Sequence, residues 1–232
     1  MTPGFTIGPR VQNALVVGSA LLAIAGAPWA LNNAVLLFVF KPLTTALILL
    51  RAWPRGSAAP AVRGAVLTGL VLSLLGDIAL LWPQQGFLPG LVAFLLAHIA
   101  YVVAFTREHR FLAQPVAVTV YALVAGAVLA LLWPSVPAGL RLPVVCYVLA
   151  LTAMSAQTAV VGLAGRDDER SRGRLLMVGG ALFMTSDALL ATNKFALALP
   201  AANLWILGAY WAAQWCIASW LRSAHIPLNN PA

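Results

Sequence analysis

Charge is what this chain has least of. Charged residues make up 9% of its 232 positions and hydrophobic residues 62%, whereas an ordinary soluble domain carries roughly 25% charged residues. The shortage excludes a water-soluble fold. Exposing that much apolar surface costs about 25 cal/mol per Å², so the bilayer has to serve as solvent. Cysteine is scarce too. Cys146 and Cys216 both lie inside apolar runs, which leaves no disulfide or zinc framework and makes them small apolar side chains. Long polar stretches are also missing: none exceeds about a dozen residues, so no separate soluble domain is expected. The whole of 1–232 reads as a single transmembrane helical domain, with a short disordered tail from about 223.

The charge that is present is mostly positive, with a net value of +8. In a soluble protein this would point to nucleic acid. Here the arginines sit singly or in short clusters between apolar runs, so they read as topology signals and no nucleic-acid partner is expected. Cutting the apolar runs at Pro, Gly and charge clusters predicts spans at 11–27, 29–51, 62–82, 86–106, 114–133, 141–163, 174–198 and 203–222. The run after Arg10 is followed by seven more, so it reads as a first span rather than a removed signal peptide. Short uncharged breaks at Ala27-Pro28, Trp82-Pro83, Trp133-Pro134 and Leu199-Pro200 suit tight turns between antiparallel helices. Trp29, Trp82, Trp133 and Trp205 beside them fit an interfacial belt.

Eight spans put Arg10, Arg51, Arg55, Arg63, Arg107, Arg110, Arg166, Arg170, Arg172, Arg174 and Arg222 on one side, and only Arg141 on the other. One missed helix in the middle would scramble that asymmetry. The expectation is therefore an all-α, polytopic transmembrane bundle of eight spans with both termini cytoplasmic. The mixed-sign stretch from Arg166 to Arg174 reads as a solvated loop.

Four ionisable groups remain that no loop claims: Lys41 and Lys194, and the acids Asp77 and Asp187 in the third and seventh spans. Each costs about 2.5–3.5 kcal/mol at the bilayer centre even on the lenient insertion scale, so each calls for a reason. Two structural Lys–Asp pairs would satisfy the charges without chemistry. More polar groups stand at similar depth, however: His98 and Tyr101 in span four, Asn193 in span seven, Tyr210 and Gln214 in span eight. Phe94, His98, Tyr101 and Phe105 share one helix face, and Asp187 and Lys194 lie two turns apart on another. Lys41-Pro42 joins a charge to a residue that frees the carbonyl of Phe38, which suits a cavity wall. Zinc chemistry needs about three His or carboxylate ligands. A lone intramembrane His argues against it, so neither metal nor other cofactor is expected. Ser73 and Ser186 lack a nucleophile-elbow setting.

The set Lys41-Pro42, Leu75-Gly76-Asp77-Ile78, Phe94-Leu-Leu-Ala-His98-Ile-Ala-Tyr101 and Phe183-Met-Thr-Ser186-Asp187, followed by Phe195, resembles the YhhN-like lysoplasmalogenase family. The resemblance covers spans two to eight. It implies an eight-span hydrolase, in a bacterial inner membrane, that takes a lysophospholipid from the bilayer. The enzyme would cleave the vinyl ether bond of lysoplasmalogens to a fatty aldehyde and a glycerophospho-alcohol. On that reading Asp77, Asp187 and His98 are catalytic, and Lys41, Tyr101, Asn193, Lys194, Tyr210 and Gln214 bind substrate. Vinyl ether hydrolysis needs an acid and a stabilising anion, and two buried carboxylates supply both. Lys194, two turns from Asp187, would hold that carboxylate ionised and leave Asp77 as the acid, although the assignment stays open. A proton-coupled transporter also fits a Pro-broken helix and midplane carboxylates, as does a non-catalytic lipid-binding protein. Gly76-Asp77 and Ser186-Asp187 further hint at a four-plus-four repeat, in which a counterpart to Lys41 is missing.

Overall fold

A computed structural model describes residues 8–56, 59–82, 84–164 and 170–222. It consists of eight α-helices: α1 (Pro9–Ala25), α2 (Ala34–Ala52), α3 (Pro60–Ala79), α4 (Phe87–Thr106), α5 (Pro115–Leu132), α6 (Ala138–Ala164), α7 (Arg170–Phe195) and α8 (Ala202–Trp220). Proline opens α1, α3 and α5, where its missing N–H is one the helix start would leave unpaired in any case. A single 3₁₀ turn, Trp133–Ser135, follows α5.

Six helices, α2 to α7, are long and apolar enough to cross a membrane. α1 is a shorter apolar helix, and α8 is made less apolar by Asn203, Tyr210 and Gln214. Large apolar side chains point outward along these helices, among them Leu131, Val116 and Leu142, each about three-quarters exposed. Such a surface belongs in lipid, and the chain is an integral, multi-pass membrane protein.

Most helix ends fall within a few residues of the predicted breaks. α2 starts later than expected, at Ala34 rather than 29, because Asn32 takes a positive φ of 48°. Asn33 then caps the helix, its side-chain oxygen accepting from the N–H groups of Val35 and Leu36. α7 begins at Arg170, so Arg170, Arg172 and Arg174 extend the helix rather than forming loop. Arg166 to Glu169 of the expected loop, and the tail from 223, lie outside the described residues.

The packing order makes a ring. α2 packs on α3, α3 on α4, α4 on α6, α6 on α7, α7 on α8, and α8 back on α2. α1 leans on α2 and α8, while α5 leans on α6 and α7. Close approach is built into α3. A Cβ on Gly76 would stand 2.5 Å from the Phe94 ring, and one on Gly69 would run into Tyr101, so glycine at these positions lets the aromatic face of α4 lie flush on α3. Phe94, His98, Tyr101 and Phe105 are all buried there, as their spacing predicts.

At the arginine-rich end the loop after α2 is tied to the end of α8. Gly56 and Arg222 pair as an antiparallel bridge, Arg55 Nη1 donates to the carbonyls of Ser219 and Leu221, and Arg51 Nη1 donates to Ser219 Oγ at 3.0 Å.

Candidate active site

Both acids stand toward the C-terminal ends of their helices, Asp77 two residues before Ala79 and Asp187 eight before Phe195. The ring of helices holds them on the walls of one cavity of about 350 Å³, which Lys41, Asn193, Lys194 and Tyr210 also line. The convergence expected from sequence is therefore present for six of the nine candidate residues.

Asp77 is 1% exposed and held from two sides. Its Oδ2 accepts from Thr45 Oγ1 on α2 at 2.6 Å and from the Tyr210 hydroxyl on α8 at 2.8 Å. Lys41 Nζ, one turn before Thr45, lies 3.9 Å from Oδ1. Each donor is itself fixed. Trp211 Nε1 donates to Thr45 Oγ1 at 3.2 Å. The Tyr101 hydroxyl donates to Gln214 Oε1 at 2.7 Å, and Gln214 Nε2 donates to the Tyr210 hydroxyl at 3.3 Å. The donors thus run in one direction, from α4 through α8 to the carboxylate, so the Tyr210 proton is committed to Asp77. Tyr101 and Gln214, expected to bind substrate, are not among the residues lining this cavity. They stand fully buried behind Tyr210 and position it.

Asp187 has a different setting. Its Oδ2 accepts from the Tyr147 hydroxyl on α6 at 2.7 Å. His98 Nε2 on α4 lies 3.9 Å from the same oxygen, beyond hydrogen-bond length. The His98 ring is fully buried, edge-on to Tyr147 and Phe183 at centroid distances of 5.1 and 4.9 Å. Neither of its nitrogens has a hydrogen-bond partner among the described residues. His98 is not among the residues lining the cavity and packs behind its wall against Asp187. Ser186, by contrast, donates to the Ile206 carbonyl at 2.9 Å and ties α7 to α8.

Lys194 departs from its expected position deep in a span. It sits exposed in the last turn of α7, its ammonium 4.8 Å above the Phe87 ring. The helix ends there because Ala196 and Leu197 both donate to the Thr192 carbonyl. The Asn193 side chain accepts from Leu199 N–H at 2.9 Å. Sequence reasoning missed Thr45, Trp211 and Tyr147. A signal for the last was available: the chain has four tyrosines, and Tyr101, Tyr147 and Tyr210 all bear on the two acids.

Fold and site together define a helical membrane protein with two intramembrane carboxylates facing a common cavity, one set beside a lysine and the other accepting from a tyrosine hydroxyl. The sequence model of the YhhN family matches residues 36–221, and the chain belongs to that family. It is 37% identical over 171 residues to lysoplasmalogenase TMEM86B of Homo sapiens, covering 73% of this chain and 67% of the relative. To lysoplasmalogenase TMEM86A of Homo sapiens it is 34% identical over 158 residues, covering 66% of this chain and 63% of that protein. A shorter match, 42% identical over 71 residues, is to the uncharacterized membrane protein YhhN of Escherichia coli O157:H7, with 31% of this chain and 34% of the relative covered. The chain thus spans about two thirds of the length of its lysoplasmalogenase relatives. No solved structure matches it.

Proposed function

We propose that this protein is a lysoplasmalogenase-like hydrolase that cleaves the vinyl ether bond of a lysophospholipid drawn from the bilayer. The observation that carries the reading is the pairing of two unlike carboxylates across one cavity, in a chain whose relatives bear the name lysoplasmalogenase. All eight helices cross the membrane as one domain, with both termini on the arginine-rich cytoplasmic side, and the membrane is a bacterial inner membrane. No cofactor takes part.

The chemistry divides between the acids. A proton goes to the β-carbon of the vinyl ether, leaving an oxocarbenium ion. Water adds to the adjacent carbon and loses a proton, and the resulting hemiacetal collapses to fatty aldehyde and glycerophospho-alcohol. The ion pair with Lys41 makes Asp77 the anion that stabilises the oxocarbenium ion. Asp187, whose donor is the neutral Tyr147, is the proton source. This reverses the assignment that sequence spacing suggested, because the lysine beside an acid is Lys41 rather than Lys194. His98, 3.9 Å from Asp187 and behind the cavity wall, assists proton transfer through that carboxyl. Lys194, Asn193 and Tyr210 on the cavity wall meet the head group.

The test is fatty aldehyde release from a lysoplasmalogen by purified protein, with and without chelator, followed by mass spectrometry. Release that persists in chelator and disappears in Asp187→Asn supports the reading. A folded protein that releases no aldehyde refutes it, and substrate-dependent proton flux in liposomes without product would identify a carrier instead.

A further inference from the structure

A second, smaller cavity of about 90 Å³ adjoins the first. The two share Leu80, Phe87, Phe94, Asp187 and Leu190 as walls, so Asp187 faces both. Apart from Asp187 and Tyr147, every residue lining the smaller one is apolar, and its walls come from α4 to α7, with Leu80 just after α3 and Val136 just after the 3₁₀ turn. With about a quarter of the volume of the acid cavity, it has no cation and no amide to receive a phosphoester.

We infer that this apolar groove is the passage for the aliphatic chain of a single-chain lipid whose polar head occupies the acid cavity. The inference rests on the reading of the site given above and assigns the two ends of the substrate. Of the two adjoining cavities, one offers Lys41, Lys194, Asn193 and Asn203; the other offers Val128, Leu129 and Ala191. An amphiphile with one head and one chain matches that polarity in a single orientation. In that orientation the junction between head and chain lies beside Asp187 and Tyr147, which is where a vinyl ether carbon has to be protonated. The outer wall is α5, which packs on α6 and α7 and has only Ala117, Ala125 and Leu132 buried among its residues. Much of its surface faces lipid, so a chain leaving the groove past α5 enters the bilayer without crossing water.

The test uses a non-hydrolysable ether lysophospholipid with a photoactivatable diazirine in its chain, added to the full-length protein in lipid nanodiscs. Cross-links are expected at Val128, Leu129 and Ala191, several-fold above those at Leu123, which is 67% exposed on α5. The half-buried Val128 is then replaced in V128W, with L123W as the outward control. V128W is expected to lower those cross-links and to reduce kcat/KM at least tenfold for a long-chain lysoplasmalogen. A propenyl analogue too short to enter the groove keeps its rate, and L123W changes neither. Labelling no stronger in the groove than at Leu123, or confined to α2 and α8, overturns the inference, as does a V128W that affects both substrates equally or neither. If wild-type protein hydrolyses neither substrate, the hydrolase reading fails, and the cross-link map alone decides whether the groove holds a chain.

Discussion

Replacing Asp77 by Asn tests two jobs, ion pairing and the proposed catalysis, that fall to its carboxylate. Its Oδ1 lies 3.9 Å from Lys41 Nζ, with both side chains at least nine-tenths buried. At that distance the attraction is about 4 kcal/mol for an effective dielectric of ~20. Removing one member of a buried pair typically costs about 3–5 kcal/mol, because the other charge is left uncompensated. Asn has the same shape and keeps an oxygen for Thr45 and Tyr210, so packing is not at issue. D77N should therefore melt about 10 °C below wild type in detergent, at the roughly 2–4 °C per kcal/mol usual for chains of 150–250 residues. It should also lose about a hundredfold or more in kcat/KM for aldehyde release. Adding K41M removes the orphaned cation, so the double variant should regain at least half of the lost melting temperature while remaining inactive. A D77N protein that melts with wild type, or a double variant no more stable than D77N, would refute the ion pair as the source of the cost. Full activity in D77N would refute the catalytic role.

Tyr147→Phe removes the 2.7 Å donor to Asp187, an interaction worth about 1.5–3 kcal/mol once that acid carries charge on giving up its proton. kcat should fall about tenfold or more with KM little changed, as steady-state kinetics would show. Gly76→Val places a side chain where Cβ alone meets the Phe94 ring at 2.5 Å, so a loss of about 1–3 kcal/mol is expected by thermal melting. Gly64, with open space around it, should accept Ala at little cost. Lys194→Ala should raise KM severalfold for a phosphate-bearing substrate and leave kcat unchanged. An unaltered KM would remove Lys194 from the head-group site.

Helix positions were legible because lipid sets a single criterion, unbroken apolar length, and because Pro and the tryptophans punctuate it. Errors arose where apolar sequence continues past the end of a helix. Ala196-Leu-Ala-Leu199 extends the hydrophobic run beyond Phe195, so Lys194 looked deep when it closes the last turn. At the other end, Trp29 to Leu31 are apolar yet belong to a turn. The two acids announced themselves through the cost of charge in lipid, and that cost is carried by each residue alone. Their partners did not, since Thr45 and Tyr147 cost little wherever they sit and acquire meaning only from what faces them. The order of the donors from Tyr101 to Asp77 depends on which helix neighbours which, and the ring order is not written in any one helix.

That ring has a consequence for how the two acids differ. Asp77 is gripped by the helix before its own, α2, and by the last helix of the chain, α8; Asp187 is gripped by α6 and approached by α4. The two constellations follow one plan, each completed by the final helix of the opposite half of the chain. Thr45 and Lys41 on α2 answer to Tyr147 on α6, and Tyr210 on α8 answers to His98 on α4. The lysine beside Asp77 breaks an otherwise even balance, and on the proposed mechanism it is what turns two like carboxylates into an anion and a proton donor. Neither half of the chain holds a finished site by itself, so exchanging the partners on α2 and α6 would exchange the parts the two acids play.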